Sequence, residues 1–243
     1  MPRFVVAHLS DSHVGAGPQA PQRLRRALDH LARCDPHPDV VVLSGDVTDH
    51  GLDEEYAELV AVLGGVREPL VVCPGNHDVR DAYERHLGPT ETVRDVGPYR
   101  VVALDSLVSA PPGGRIDHGE LTDDSLALLD RALGGGRPTL VVLHHPPVPL
   151  HVGLMDPIRL RDPQRLEAVL RRHPGTVVAV LVGHAHTMAA TTFAGVPVLV
   201  GGGLVSTVPT DAEPLPVLDL DQPPSFALHL LEDDHLVTHW RVL

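Results

Sequence analysis

The chain contains no lysine, so all 19 of its Lys+Arg residues are arginine. That absence excludes a Walker-type phosphate loop, a Schiff-base lysine and a Ser-Lys dyad, each of which needs an ε-ammonium group. Asparagine is almost absent as well: Asn76 stands alone. The joint scarcity fits a GC-rich genome that avoids the Lys and Asn codons, and it makes the survival of Asn76 informative. Cysteine is limited to Cys34 and Cys73, without metal-type spacing. Two thiols and no secretory leader read as reduced and cytoplasmic. The opening segment carries an apolar run of only about six residues, too short for a secretory h-region. No stretch reaches the roughly eighteen apolar residues of a membrane span. Positive charge is outnumbered, 19 basic against 32 acidic residues for a net charge of −13. Such a surface repels phosphate backbones, so no nucleic-acid polymer is expected as a partner. No Gly-x-Ser-x-Gly elbow is present, which removes support for serine hydrolysis.

What is present is a globular composition. Hydrophobic residues make up 43% and charged residues 21% of 243 residues, enough for one core without disulfide staples. One domain over residues 1–243 is expected. Valine-rich runs at Phe4–Leu9, Val40–Leu43, Leu70–Val72, Arg100–Leu104, Thr139–Leu143 and Val177–Val182 read as strands buried on both faces. Between them Leu24, Ala27, Leu28 and Leu31 follow helical spacing, as do Tyr56, Leu59, Val60 and Leu63. Leu126, Leu129 and Leu133, then Leu166, Val169 and Leu170, repeat it more weakly. Alternating strand and helix predicts an α/β fold with largely parallel strands. After His186 the pattern turns to strands at Ala189–Phe193, Val196–Val200, Phe226–Leu231 and Leu236–Val242. Residues 187–243 are therefore expected to form an antiparallel section that completes a second sheet. Residues 111–114 and the proline-rich 210–224 read as loops.

Polar clusters follow the strands at their C-terminal ends. They are Ser10-Asp11-Ser12-His13, Ser44-Gly45-Asp46, Gly75-Asn76-His77-Asp78, His144-His145-Pro146 and Gly183-His184-Ala185-His186. In open α/β sheets the ligand crevice lies outside those strand ends. Imidazole and carboxylate without thiolate suit Mn, Fe or Zn. The donors Asp11, His13, Asp46, Asn76, His144, His184 and His186 exceed what one tetrahedral ion takes and suit two ions that share a carboxylate. The fingerprint-like Gly15-Ala16-Gly17-Pro18-Gln19-Ala20 does not follow its strand directly, which argues against a dinucleotide site.

The ordered set D-x-H, G-D, G-N-H-D, H-H-P and G-H-x-H, from Asp11 to His186, resembles the calcineurin-like metallophosphoesterase superfamily. Within it, Leu9-Ser10-Asp11-Ser12-His13 and Val142-Leu143-His144-His145-Pro146-Pro147 are most similar to the bacterial class III cyclic nucleotide phosphodiesterases. The resemblance implies a four-layer α/β/β/α sandwich of two mixed sheets flanked by helices. It implies two metal ions (Mn, Fe or Zn): one on Asp11, His13 and His186, the other on Asn76, His144 and His184, with Asp46 between them. It makes His77 the catalytic histidine that is not a ligand. The implied reaction is phosphodiester hydrolysis of a small-molecule substrate, 3′,5′-cyclic AMP foremost, by in-line attack of a metal-bridging hydroxide. A phosphomonoesterase or sugar-nucleotide pyrophosphatase is the alternative on the same scaffold, and a non-catalytic scaffold is the last. A homodimer is a further expectation. Asp78 is a candidate to orient His77. His145, beside a ligand, either supports the site or packs.

Overall fold

The computed structural model describes residues 3–111, 114–213, 218–233 and 235–243. Parts of the expected loops 111–114 and 210–224 therefore lie outside the described residues. The first half alternates β1 (Phe4–Leu9), α1 (Gln19–Leu31), β2 (Val40–Ser44), α2 (Asp53–Leu63), β3 (Leu70–Cys73) and α3 (Arg80–Leu87). Then come β4 (Thr92–Val96), β5 (Tyr99–Ala103), α4 (Asp123–Leu133), β6 (Thr139–Val142), α5 (Pro163–Arg172) and β7 (Val177–Val182). The last elements are β8 (Ala189–Phe193), β9 (Val196–Val200), β10 (Ser225–Glu232) and β11 (His235–Val242).

Two mixed sheets result. The first has the order β11-β10-β1-β2-β3 and the second β4-β5-β6-β7-β9-β8. In the first, β1, β2 and β3 run parallel, and β10 and β11 are antiparallel additions at one edge. In the second, β5, β6, β7 and β9 run parallel between antiparallel edges. The expectation for residues 187–243 needs correction. Only β8 and β9 join the second sheet, whereas β10 and β11 close the first. The reason is burial: His229 and Phe226 on β10 alternate between the two faces of the first sheet, and both are buried there.

The layers follow from side-chain alternation. Val6, Val40, Val42 and Val71 of one sheet meet Val101, Leu140, Val142 and Leu181 of the other in a core between the sheets. The opposite face of the first sheet packs Leu9 and Leu43 against Leu24, Tyr56, Leu59 and Tyr83 of α1, α2 and α3. That of the second packs Val141 and Val180 against Leu129, Leu133 and Leu166 of α4 and α5. This is the expected α/β/β/α sandwich. Each fully buried aliphatic side chain contributes about 1.5–3 kcal/mol relative to exposure.

The helices obey local rules. Thr122 caps α4 by accepting from the Ser125 amide at 3.0 Å, and Asp123 and Asp124 occupy its first turn. Pro163 opens α5 and Arg171 and Arg172 end it. The strands β1, β2, β3, β6 and β7 deliver their C-terminal ends to one rim, where Ser10 bridges to Gly203 beyond β9 and ties the two sheets together.

Candidate metal centre

The seven predicted donors converge on that rim, and all are buried. Asp11, His13, Asp46 and His186 offer atoms that all lie within 4.8 Å of one another. His13 Nε2 is 3.1 Å from His186 Nε2 and 3.5 Å from Asp46 Oδ2, and His186 Nε2 is 3.4 Å from Asp11 Oδ1. On the other side His144 Nε2 is 3.3 Å from the same Asp46 Oδ2, 3.2 Å from Asn76 Oδ1 and 3.2 Å from His184 Nδ1. One carboxylate oxygen thus faces both groups.

The backbone reaches this arrangement by leaving each strand abruptly. Asp11, His13, Asp46, His184 and His186 all have left-handed φ, between 39° and 68°. Non-glycine residues rarely adopt that region, and its concentration at one rim marks a functional constraint. Glycines make room between them. A Cβ on Gly183 would strike Ser10 Oγ and come within 2.9 Å of Asp11 Oδ2, and one on Gly75 would strike Asp46 Oδ1.

For His144 and His13, hydrogen bonds behind the ligand atoms fix which nitrogen carries a proton. His144 Nδ1 lies 2.8 Å from the Ser44 carbonyl, which only accepts, so Nδ1 donates and Nε2 presents a lone pair to the rim. His13 Nδ1 donates to Asp49 at 2.9 Å, which turns its Nε2 lone pair inward in the same way. His186 Nδ1 is held by Ser206 Oγ at 2.7 Å. The amide nitrogen of Asn76 faces the Asp117 carboxylate at 3.4 Å, so its oxygen points at His144. Lone pairs and carboxylate oxygens therefore face one another at 3.1–3.5 Å with no hydrogen between most of them. Such a cluster repels itself unless positive charge occupies it. Imidazole nitrogen with amide and carboxylate oxygen is the donor set of borderline transition metals.

The protonation equilibria carry the same message. Burial opposes a charge on His144, but the Asp46 and Asp11 carboxylates outweigh it and raise its pKa to about 9. Without an ion, a proton supplies the missing charge. Burial likewise opposes ionisation of Asp46, yet His144, His13 and His77 hold its carboxyl well below the usual range. Burial keeps His184 and His186 neutral, the form that ligates. His184 Nε2 is buried without a hydrogen-bond partner.

His145 lies against this group but has no electron pair to give it. Its Nε2 faces the Asp117 carbonyl at 3.2 Å and its Nδ1 is engaged by Ser106 Oγ at 2.8 Å. His77 sits at the rim with its amide donating to Asp46 Oδ1 at 2.8 Å. Its Nδ1 lies 2.8 Å from the Asp49 carbonyl and 3.4 Å from Asp49 Oδ1. Burial lowers the His77 pKa, but these contacts and the Asp46 charge reverse the shift and raise it.

Asp78 does not orient His77. It is buried and accepts from the Val47, Thr48 and Gly75 amides, from Thr48 Oγ1 and from Tyr56 Oη, so it fastens the loop after β2 to the loop after β3. Asp49 takes the role expected of Asp78. The sequence offered one clue, a second acid three residues beyond Asp46 in the same loop after a strand. Ser206, Asp117 and the Ser44 carbonyl gave no sequence signal, because they act across the fold.

Known proteins resemble this chain. Residues 4–188 match the calcineurin-like phosphoesterase family. A probable cyclic nucleotide phosphodiesterase of Rhodococcus erythropolis is 35% identical over 231 residues, covering 87% of this chain and 74% of its own. The 3′,5′-cyclic adenosine monophosphate phosphodiesterase CpdA of Pseudomonas aeruginosa is 36% identical over 195 residues, 75% of this chain and 69% of its own. Among solved structures, the purple acid phosphatase PPD1 of yellow lupin superposes with a TM-score of 0.68 at 14% identity, over 99% of this chain and 51% of that one, a likeness of fold. With the motif order, the two-sheet sandwich and the converging donors, these matches assign the chain to the calcineurin-like phosphoesterase family.

Proposed function

We propose that the protein hydrolyses small phosphodiesters, 3′,5′-cyclic nucleotides and cyclic AMP foremost, at a centre of two metal ions. Asp11, His13 and His186 would hold one ion and Asn76, His144 and His184 the other, with Asp46 shared. The observation that carries this reading is the single Asp46 oxygen facing imidazoles of both groups, 3.5 Å from His13 and 3.3 Å from His144. Mn, Fe and Zn all suit the donors. When bound, the ions supply Lewis-acid charge for the phosphoryl oxygens and acidify water.

The chain's own residues supply the rest. Asn76, whose amide nitrogen donates to Asp117, has a second N–H to offer an equatorial oxygen. His77, held through Nδ1 by Asp49, directs Nε2 away from that anchor, toward a leaving alkoxide. Asp49 and Asp46 favour its imidazolium form, so it delivers the proton as the P–O bond breaks. Asp49 also orients His13, so one carboxylate links a metal ligand to the acid. The cyclic-nucleotide reading is supported by the phosphodiesterases to which the chain is 35% and 36% identical. Cys34 and Cys73 are both free, which suits the reducing cytoplasm. Among the described residues no helix is long and apolar enough to cross a membrane.

The test is a panel of phosphoesters with manganese-reconstituted enzyme: bis-p-nitrophenyl phosphate, p-nitrophenyl phosphate and cyclic AMP. Metal-dependent turnover of both diesters well above the monoester is expected. Faster monoester turnover would overturn the diesterase reading in favour of a phosphomonoesterase, and no turnover of any would leave a scaffold.

A further inference from the structure

Beyond His77 the rim opens into a cavity of about 550 Å³. Val79, Leu107 and Ile116 are among its apolar walls, and Asp49, Asp81 and Arg115 are among the charged groups that line it. That volume and mixture suit a small organic ligand fixed by a few polar contacts. Two arginines border the cavity, and they differ in one respect. Arg80 is consumed by the fold: it bonds Asp105 at 2.7 Å, Ser109 at 2.6 Å and the Leu107 carbonyl at 2.8 Å, which ties the 105–109 loop to α3.

Among the described residues Arg115 is anchored from one side. Its Nε donates to Asp117, the same carboxylate that receives the Asn76 amide. Its Nη1 lies 3.1 Å from His77 Nδ1. That nitrogen already directs its hydrogen to the Asp49 carbonyl at 2.8 Å. A donor here meets a donor, so the guanidinium is aimed at the cavity beside the catalytic histidine without an acceptor at that contact. In a chain of net charge −13, Arg115 brings a cation to this mouth, anchored at one end by its ion pair with Asp117.

We propose that this cavity is the subsite for the organic part of the substrate, a nucleoside, and that Arg115 is its specificity-determining residue. The proposal rests on the cyclic-nucleotide reading above for the choice of nucleoside. The planar guanidinium supplies both a flat cationic surface for a base and a fork of donors for base or ribose oxygens. It does for this pocket what aromatic side chains do elsewhere.

The experiment measures binding by titration calorimetry on the metal-loaded enzyme, with 5′-AMP and inorganic phosphate as probes. Phosphate reports the metal centre alone, and AMP reports the centre plus the cavity. AMP should bind the wild type at least about tenfold more tightly than phosphate, and Arg115→Ala should remove most of that advantage, as loss of one charge-assisted contact predicts. Arg115→Lys, which keeps the charge without the fork, should fall between. Equal wild-type affinities for AMP and phosphate would overturn the subsite. An unchanged advantage in Arg115→Ala, or equal weakening of both probes, would overturn the role of Arg115. Failure of the diesterase reading shows separately, as absent turnover of cyclic AMP while the AMP advantage persists.

Discussion

Replacing Asp46 with asparagine changes one oxygen to an amide at nearly constant shape, at the point where the two halves of the centre meet. The carboxylate is buried, faces His144 at 3.3 Å and His13 at 3.5 Å, and is held ionised by them. Removing one partner from a buried ion pair costs about 3–5 kcal/mol, which is about 10²–10⁴ in a binding constant. Both ions should weaken by that order, because among the described residues no other carboxylate pairs with both His13 and His144. A second consequence is visible without metal. His144 owes its raised pKa of about 9 to Asp46 and Asp11 acting against burial. Its displacement from the ordinary 6.5 represents about 3 kcal/mol of preference for the charged ring. In Asp46→Asn burial regains control and the ring should be neutral at pH 7. Two assays read the variant: metal content after dialysis, and imidazole titration of the metal-free protein by NMR. Two ions per chain bound at wild-type affinity would refute the shared oxygen. A His144 titration still near 9 would refute the electrostatic account.

His77→Ala should retain both metal ions and lose about 10²–10⁴ in kcat with an alkoxide leaving group, less with p-nitrophenolate, which needs little protonation. Unchanged kcat toward cyclic AMP would remove His77 from proton delivery. Asp49→Asn should weaken metal binding about 10–100-fold through His13 and also shift the pH limb of kcat that reports His77, because both lean on one carboxylate. An effect on metal affinity with no change in that limb would separate the two roles. Gly183→Ala introduces a Cβ against Ser10 Oγ, the Ser44 carbonyl and Asp11, so a lowered Tm and loss of metal are expected, with destabilisation of about 1–3 kcal/mol. A variant of unaltered Tm and metal content would show that the rim relaxes freely.

Much of this architecture is legible in the letters, for physical reasons. Strands buried on both faces must be continuously apolar, so β1 and β7 can be bounded from the sequence to the residue. The donors follow those strands directly, and parallel strands carry their C-terminal ends to one side, so proximity follows from connectivity. Two elements escape this reasoning. β4, Thr-Val-Arg-Asp-Val, is an exposed edge with charges inside it, and such strands lose the apolar signature. α3 is short and polar, and Ala82 and Tyr83 alone on it are buried. The sheet that β10 and β11 join differs from the expected one for another reason: alternation marks a strand and does not name its neighbour. The supporting groups escape for a third. Ser206 reaches His186 across 20 residues, and Asp117 reaches Asn76 across 41. No local pattern encodes such a meeting.

The rim concentrates features that each oppose folding. Left-handed φ at a non-glycine residue costs about 1–3 kcal/mol, and five of the donors carry it. Buried lone pairs and carboxylates face one another, and His184 keeps a buried nitrogen without a partner. The scaffold tolerates this because the surrounding bonds are over-determined. The Asp11 amide donates to the Gly45 carbonyl at 3.2 Å, the His13 amide to the Asp46 carbonyl at 2.9 Å, and Asp78 holds the two neighbouring loops with both of its oxygens. Each ligand loop is thus fixed by its neighbour rather than by its own conformation. The donors cannot separate to relieve their mutual repulsion, and without an ion it is a proton on His144, held by Asp46 and Asp11, that offsets it. What the fold leaves available to them is a cation. On the proposed reading, preorganisation against the metal-free state would give the centre its affinity, with the strain as its visible trace.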